Sequence, residues 1–261
     1  MDPRRFGLIN WIGLETLYLK EVRRFLKVFL QTVIAPIVIA LLFLAIFALA
    51  LGGAVREIGG VSFLEFLAPG LIMMTMMQNA FANTSTSLIA AKMQGNIVDL
   101  LMPPLSPTEL LIGHVMGGVT RAMLIGLFLG LAMLPFVPLH VHHLGYAVFH
   151  TIAASIALSL TGLMAAIWAE KYDHLAAINN FVIMPLAFLS GTFYSVERLP
   201  GALHLASQFN PFFYMIDGFR YGFTGRADGL PLVGLGVMIG LCIVLWWAAH
   251  RLLASGYKLK A

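Results

Sequence analysis

Thr75, Asn79, Asn83 and Thr86 are spaced by four, four and three residues inside an otherwise apolar run, so a helix places all four on one stripe. Two carboxamides and two hydroxyls can bind and orient a solute by hydrogen bonding, but they include neither a nucleophile nor a base. Hydrocarbon is a poor solvent for them, so the stripe suits either helix packing or a water-filled path. A second polar cluster, His140-Val141-His142-His143, has the residue type of a zinc or copper site. Its place in a short turn beside Pro135 and Pro138 suits an interfacial cap better, and no metal is expected there.

Other chemistry is missing. No Lys follows a Gly, which excludes a GxxxxGK[ST] phosphate loop, and HExxH, GxSxG and the GxGD motif of intramembrane proteases are absent. The chain is therefore not expected to be an enzyme or to energise itself with ATP. Carboxylates for a proton relay are equally scarce, Glu65 being the one acid placed inside a span. The single Cys242 excludes a disulfide within the chain.

The elements that must position these residues are set by composition. Of 261 residues, 60% are hydrophobic and 11% charged, where a soluble chain carries about 25% charged. Charge-free runs of about 20 residues recur, the length of a helix crossing a bilayer. Six spans are expected, roughly Val28 to Gly52, Phe63 to Ala90, Leu111 to Leu134, Leu144 to Trp168, His174 to Tyr194 and Leu230 to Leu253. Eleven of the 16 Lys and Arg residues then fall on the side of the termini and four on the other, which places both termini in the cytoplasm. The net charge of +4 is a topology signal and calls for no nucleic acid. Arg121, inside the third span, is expected to snorkel to the cytoplasmic surface.

Three further elements follow from local pattern. Residues 1–27 read as a cytoplasmic amphipathic interface helix, with Leu14, Tyr18, Val22 and Phe25 on one face and Lys20, Arg23, Arg24 and Lys27 on the other. Residues 28–261 form the six-span domain. Within it, at about 95–104, Gly95 breaks the chain, Asn96 caps a short helix, Ile97, Leu100 and Leu101 give it an apolar face, and Pro103-Pro104 ends it. That helix is either a membrane-surface turn or a docking element for a cytoplasmic protein. Between the fifth and sixth spans, about 195–225 is too apolar for water and too rich in Pro and Gly for a span. It reads as an outer re-entrant hairpin whose helices start at Pro200 and at Asn210-Pro211, with Asp217 and Arg220 partly neutralising each other three residues apart. The third span carries Gly113-xxx-Gly117 and Gly126-xxx-Gly130, spacings that permit close helix approach.

LAPGLIMMTMMQNAFANTS at Leu67 to Ser85, GNIVDLLMPPLSPTELLIGHV at Gly95 to Val115, and LSGTFYSVERLP followed by NPFFYMIDGFRYGFTG resemble, in order and spacing, the permeases of the ABC-2 type transporter family. The likeness is strongest to their YadH-like inner-membrane branch and departs from it at His114, where many relatives carry Lys. It implies a homodimer of an all-α, six-span subunit in a bacterial inner membrane, paired with two copies of a separate nucleotide-binding ATPase that holds ATP and Mg. It further implies that Gly95, Asn96, Asp99, Leu100 and Pro103 belong to a coupling helix seated on that ATPase. The pathway would run at the subunit interface past Thr75, Asn79, Asn83, Thr86, Asn179 and Asn180, and the hairpin with Gly191, Pro200, Asn210, Pro211, Asp217 and Arg220 would cap the exit. The implied activity is export of an amphipathic or hydrophobic substrate, a lipid, lipid-linked glycan or drug, by alternating access. The same six spans would also serve an ATP-independent channel or carrier, or a membrane scaffold that transports nothing.

Overall fold

The computed structural model describes residues 9–51, 57–58 and 60–259. The first eight residues of the expected interface helix, with Arg4 and Arg5, lie outside the described residues, as do Gly52, Arg56 and Lys260.

The described chain is almost entirely helical. α1 (Trp11–Leu26) precedes a π turn at Leu30–Ile34 that runs into α2 (Ala35–Leu51). A two-residue hairpin of β1 (Glu57–Ile58) and β2 (Val61–Ser62), paired Glu57 to Ser62, leads into α3 (Phe63–Met93). Then come α4 (Ile97–Leu101), α5 (Pro107–Met133) and α6 (Leu144–Trp168). α7 (Tyr172–Ile178), a π turn at Asn179–Ile183 and α8 (Met184–Phe188) form one interrupted rod, followed by α9 (Gly201–Gln208), α10 (Pro211–Thr224) and α11 (Pro231–Ser255).

α3 is the axis of the bundle. At 1.5 Å per residue its 31 residues run about 46 Å, and from Phe66 to Met74 every side is buried, the mark of a helix enclosed by protein. It packs chiefly on α6 and α5, while α2 and α11 lie outside. Leu30 and Leu49 are 76% and 87% exposed, as expected of side chains whose solvent is lipid. Close approach is bought with small residues: a Cβ at Gly118 would fall 2.2 Å from Ser159 Oγ, and one at Gly162 would fall 2.4 Å from Phe81 O.

Both ends of the core helices are tied. Ser62 and Glu65 form a capping box at the start of α3, so Glu65 serves a helix terminus and is not a carboxylate buried in the span. Ser106 and Glu109 do the same for α5, which begins at Pro107, four residues before the expected span. At the other end of α3, Lys92 Nζ donates to the carbonyls of Ala166, Ile167 and Ala169 at 3.2, 2.9 and 2.5 Å, a cation on the open C-terminus of α6.

Among the described residues, four helical stretches are long and apolar enough to cross a membrane: Leu30–Ala50, Pro107–Met133, Leu144–Trp168 and Pro231–Ser255. The other two expected spans differ in kind. α3 is long but carries the polar stripe, and the rod from Tyr172 to Phe188 is broken by its π turn. The expected fifth span also stops early: helix ends at Phe188 instead of Tyr194, because Gly191 takes a left-handed φ of +75° and turns the chain back.

Candidate functional site

The α3 stripe forms as the spacing requires, and two cations occupy it. Thr75 Oγ1 donates to Leu71 O at 2.7 Å, and Asn79 Nδ2 donates to Thr75 O at 2.9 Å. Asn79 Oδ1 accepts from Arg121 Nη2 at 2.7 Å, and the same nitrogen donates to Thr32 O at 3.2 Å in the first π turn. Arg121 is only 7% exposed, so it does not snorkel: its partner lies on the neighbouring helix, and the guanidinium joins α5 to α3 and to the entry of α2. One turn along, Arg24 Nη2 donates to Asn83 O at 2.7 Å and to Asn83 Oδ1 at 3.0 Å, while its Nη1 lies 3.4 Å from Thr86 Oγ1. Asn83 is fully buried. Asn179 donates to Asn180 at 3.2 Å in the second π turn, and among the described residues no hydrogen bond joins that pair to the stripe.

Arg24 reaches Asn83 because α1 lies on the bundle differently from the expected pattern. Its buried row is Leu17, Glu21 and Phe25, not the Leu14, Tyr18, Val22 and Phe25 face. Gly113 and Gly117 on α5 receive that row, since a Cβ there would meet Leu17 Cδ2 at 2.5 Å and Glu21 Cβ at 2.6 Å. The Gly113-xxx-Gly117 spacing is thus the seat of α1. Glu21 is 0% exposed, and its partners come from three helices. Ser87 Oγ donates to it at 2.6 Å from α3, Arg24 Nη2 at 3.1 Å from α1, and His114 Nε2 stands 4.0 Å away on α5. His114 Nδ1 lies 2.8 Å from Leu110 O, which aims the other ring nitrogen at the acid. Burial pushes the Glu21 carboxyl up, but His114, Arg24 and Ser87 outweigh it and hold the pKa below the ordinary 4.5. Asn10 completes the attachment, accepting from Gly13 N at 3.0 Å as N-cap of α1 and donating its backbone N–H to Glu109 Oε1 at 2.5 Å. Sequence reasoning missed Glu21, Ser87 and Asn10. The available signal was an acid spaced by four residues from Leu17 and from Phe25, at the centre of an apolar row.

At this end of the bundle Gly95 turns the chain with φ +74°, and α4 follows. Asn96 occupies the N-cap position without a side-chain capping bond. Ile97 and Leu100 are buried, so the expected apolar face is turned inward and holds the helix down; Leu101 leaves that face and is partly exposed. What α4 shows outward is Val98, 52% exposed, and beyond it Met102, 75% exposed, while Asp99, also exposed, borders the space toward α1. A cavity of about 510 Å³ separates α4 from α1 and α3, with Lys20, Arg24, Asp99, Leu100 and Pro103 among its walls.

The hairpin starts its helices where the sequence indicates. Pro200 precedes α9 as its N-cap; Asn210 Oδ1 accepts from Phe212 N at 3.0 Å, and Pro211 occupies the first turn of α10. Asn210 Nδ2 also donates to Leu186 O at 2.8 Å, tying the loop back to α8. Asp217 and Arg220 are both buried, and each charge favours the other as expected, but they do so at a distance, with no direct ion pair between them. Asp217 accepts from the backbone N–H groups of Asp228 and Gly229 at 2.8 and 3.0 Å. Arg220 donates to Gly191 O at 2.6 Å and Phe66 O at 3.2 Å, and its guanidinium lies 3.7 Å over the Phe66 ring. A helical pair three residues apart diverges here because each side chain finds backbone partners on a different segment. Gly218 and Gly222 seat α10 on α6: a Cβ at Gly218 would lie 2.0 Å from His150 Nε2, and one at Gly222 would lie 2.7 Å from Ala147. The histidine cluster caps this helix. The N–H groups of His142 and His143 donate to Gly222 O at 3.0 and 2.9 Å, and the His143 ring stacks on Tyr221 at 4.7 Å. Among the described residues no three His, Cys, Asp or Glu side chains are grouped as metal ligands.

The model of the ABC-2 type transporter family matches residues 13–224 of this chain. The chain is 34% identical over 254 residues to the inner membrane transport permease YadH of Escherichia coli (strain K12), a match covering 97% of this chain and 99% of that one. It is 27% identical over 244 residues to nodulation protein J of Rhizobium leguminosarum bv. viciae, covering 92% and 90%. Against nodulation protein J of Rhizobium meliloti (strain 1021) the identity is 25% over 235 residues, covering 89% and 87%.

Proposed function

The chain belongs to the ABC-2 type transporter family, and from that premise we propose that it is the six-span permease subunit of an ATP-driven exporter in a bacterial inner membrane. α3 and the interrupted rod Tyr172 to Phe188 supply the second and fifth spans, and both termini face the cytoplasm. Two copies form the pathway, and two copies of a separate ATPase, carrying ATP and Mg, sit beneath α4. The substrate is an amphipathic or hydrophobic molecule.

The observation that carries this reading is α4 itself. Ile97 and Leu100 anchor it to the bundle while Val98 and Met102 stay exposed on a surface where no lipid-spanning helix continues. Apolar side chains held outward on a polar-rimmed end of a membrane bundle suit a protein partner. ATP binding that favours one arrangement of the partner pair then biases α4 and the helices tied to it, which is all that two-state rocking needs. The Asn79 and Asn83 carboxamide oxygens are engaged by Arg121 and Arg24 within the subunit. A pathway along that stripe therefore presents cation-bound amides, with polarity fixed by the two arginines.

The test is purification of the tagged chain in mild detergent with quantitation of what accompanies it. A P-loop ATPase at one copy per chain, together with solute movement in liposomes only when both subunits and ATP are present, supports the proposal. Movement of solute by the chain alone would replace it with a carrier or channel.

A further inference from the structure

At the end of the bundle opposite α4, an apolar groove of about 420 Å³ opens toward the surrounding lipid between α5, α6 and α10. Of the residues lining it only Thr151 has a polar side chain. Gly130 forms part of one wall and leaves real space, since a Cβ there would meet nothing nearer than Ile72 Cδ1 at 4.0 Å. The segment after α5 closes the end of the groove, and here the histidine cluster acquires a second meaning. Residues 138–143 contain no helix, and their side chains divide between two spaces. Leu139 and Val141 line the groove, whereas His140 and His142, both exposed, line a polar notch beside it. Leu139 and Phe223 border both spaces, so the two are adjacent. Backbone bonds from His142 and His143 to Gly222 hold the segment in place. Just beyond it the Tyr221 ring packs on those of His143 and Tyr146, at 4.7 and 4.9 Å, in the manner of aromatic side chains at a membrane–water boundary.

We propose that this groove binds a phospholipid of the leaflet at this end, one acyl chain lying along Gly130 and Val148 and the phosphate accepting hydrogen bonds from the His140 and His142 imidazoles. The occupant is lipid because the groove lies between two helices long and apolar enough to cross the bilayer, where hydrocarbon is the solvent, and its open end carries donors suited to an oxyanion. Glu65 also lines the notch, but its Oε2 accepts from Ser62 N at 3.3 Å in the capping box, so that oxygen is turned to its own helix. This site is separate from the α3 stripe and does not depend on the transport reading.

The experiment is native mass spectrometry of the purified, delipidated chain titrated with phosphatidylglycerol and, in parallel, with diacylglycerol. One phosphatidylglycerol is expected to be retained per chain. Gly130→Leu, which fills the groove where space exists, should weaken retention of both lipids about tenfold, as expected if about two methylenes are excluded; Val148→Phe does the same from the opposite wall. His140→Ala with His142→Ala should weaken phosphatidylglycerol and leave diacylglycerol unchanged. Thermal unfolding of each variant near that of the unsubstituted chain shows that the fold is intact. Retention that is insensitive to both groove variants overturns the proposal. So does a shift from dimer to monomer in Gly130→Leu with lipid retention unchanged, which would mean that a second copy covers this face.

Discussion

Arg121 on α5 and Asn79 on α3 meet at 2.7 Å inside the bundle, so the one charged side chain in the middle of α5 is held by a carboxamide from the helix beside it. The pair couples three elements, because the same Arg121 nitrogen also reaches Thr32 O.

Removing one side of that contact should cost more than removing both. Asn79→Leu leaves a buried guanidinium with only a backbone partner and is expected to destabilise the chain by about 2 to 3 kcal/mol. Arg121→Met combined with Asn79→Leu should recover at least half of that loss. Thermal unfolding of the four members of the double-mutant cycle in one detergent reads the coupling. Additive losses would mean that the two side chains do not share this interaction.

Glu21 should give the stability a pH dependence. Its folded-state pKa is depressed, so its contribution is present above the ordinary 4.5 and is lost as pH falls through the depressed value. Glu21→Gln is expected to lower stability by about 3 kcal/mol at pH 7, since Arg24 and Ser87 lose a charged acceptor. The gap between the two proteins should narrow steadily below pH 4.5. Unfolding curves at intervals from pH 7 to about pH 2 measure it, and a gap that stays constant through the region below pH 4.5 would exclude the ionised acid as its source.

Gly218→Ala should be among the most damaging single-methyl changes in the chain, costing about 2 kcal/mol or more through overpacking of α10 against His150. Gly145→Ala, where a Cβ meets nothing within 4 Å, is the matched control and should be neutral or slightly stabilising. Equal unfolding temperatures for the two would contradict the close approach of α10 to α6.

On α4 the inward and outward residues should separate folding from partner binding. Leu100→Asp places a charge in the bundle and should reduce yield of folded protein, whereas Val98→Asp and Met102→Asp should leave unfolding unchanged and lower ATPase recovery at least tenfold, the equivalent of about 1.4 kcal/mol. Asp99→Lys, also exposed, should weaken the same contact through charge. Full ATPase recovery with all three exposed substitutions would remove α4 from the coupling contact.

Local chemistry was legible in the sequence wherever a residue acts on its own backbone. Pro200, Asn210 and Pro211 start helices, Gly95 turns the chain, and the spacing of Thr75, Asn79, Asn83 and Thr86 does make a stripe. What could not be read was which segment would answer each polar group. Arg121 has Asn79, Arg220 has Phe66 and Gly191, and Arg24 has Asn83, all partners at least 29 residues away in sequence. Charge and periodicity describe one helix at a time, and in a bundle the desolvation cost of an arginine is offset by its neighbours. The face of α1 was misjudged for the same reason: a buried acid reads as polar until His114 and Ser87 are brought beside it.

The Lys92 ammonium, seated on three carbonyls at the end of α6, gives the molecule a mechanical linkage. It lies three residues before Gly95, whose left-handed φ turns the chain into α4, so under the proposed coupling a push on α4 would reach both α3 and α6. On the proposed coupling through α4, α3 and α6 would tilt as a single strut, tied at this end by Lys92.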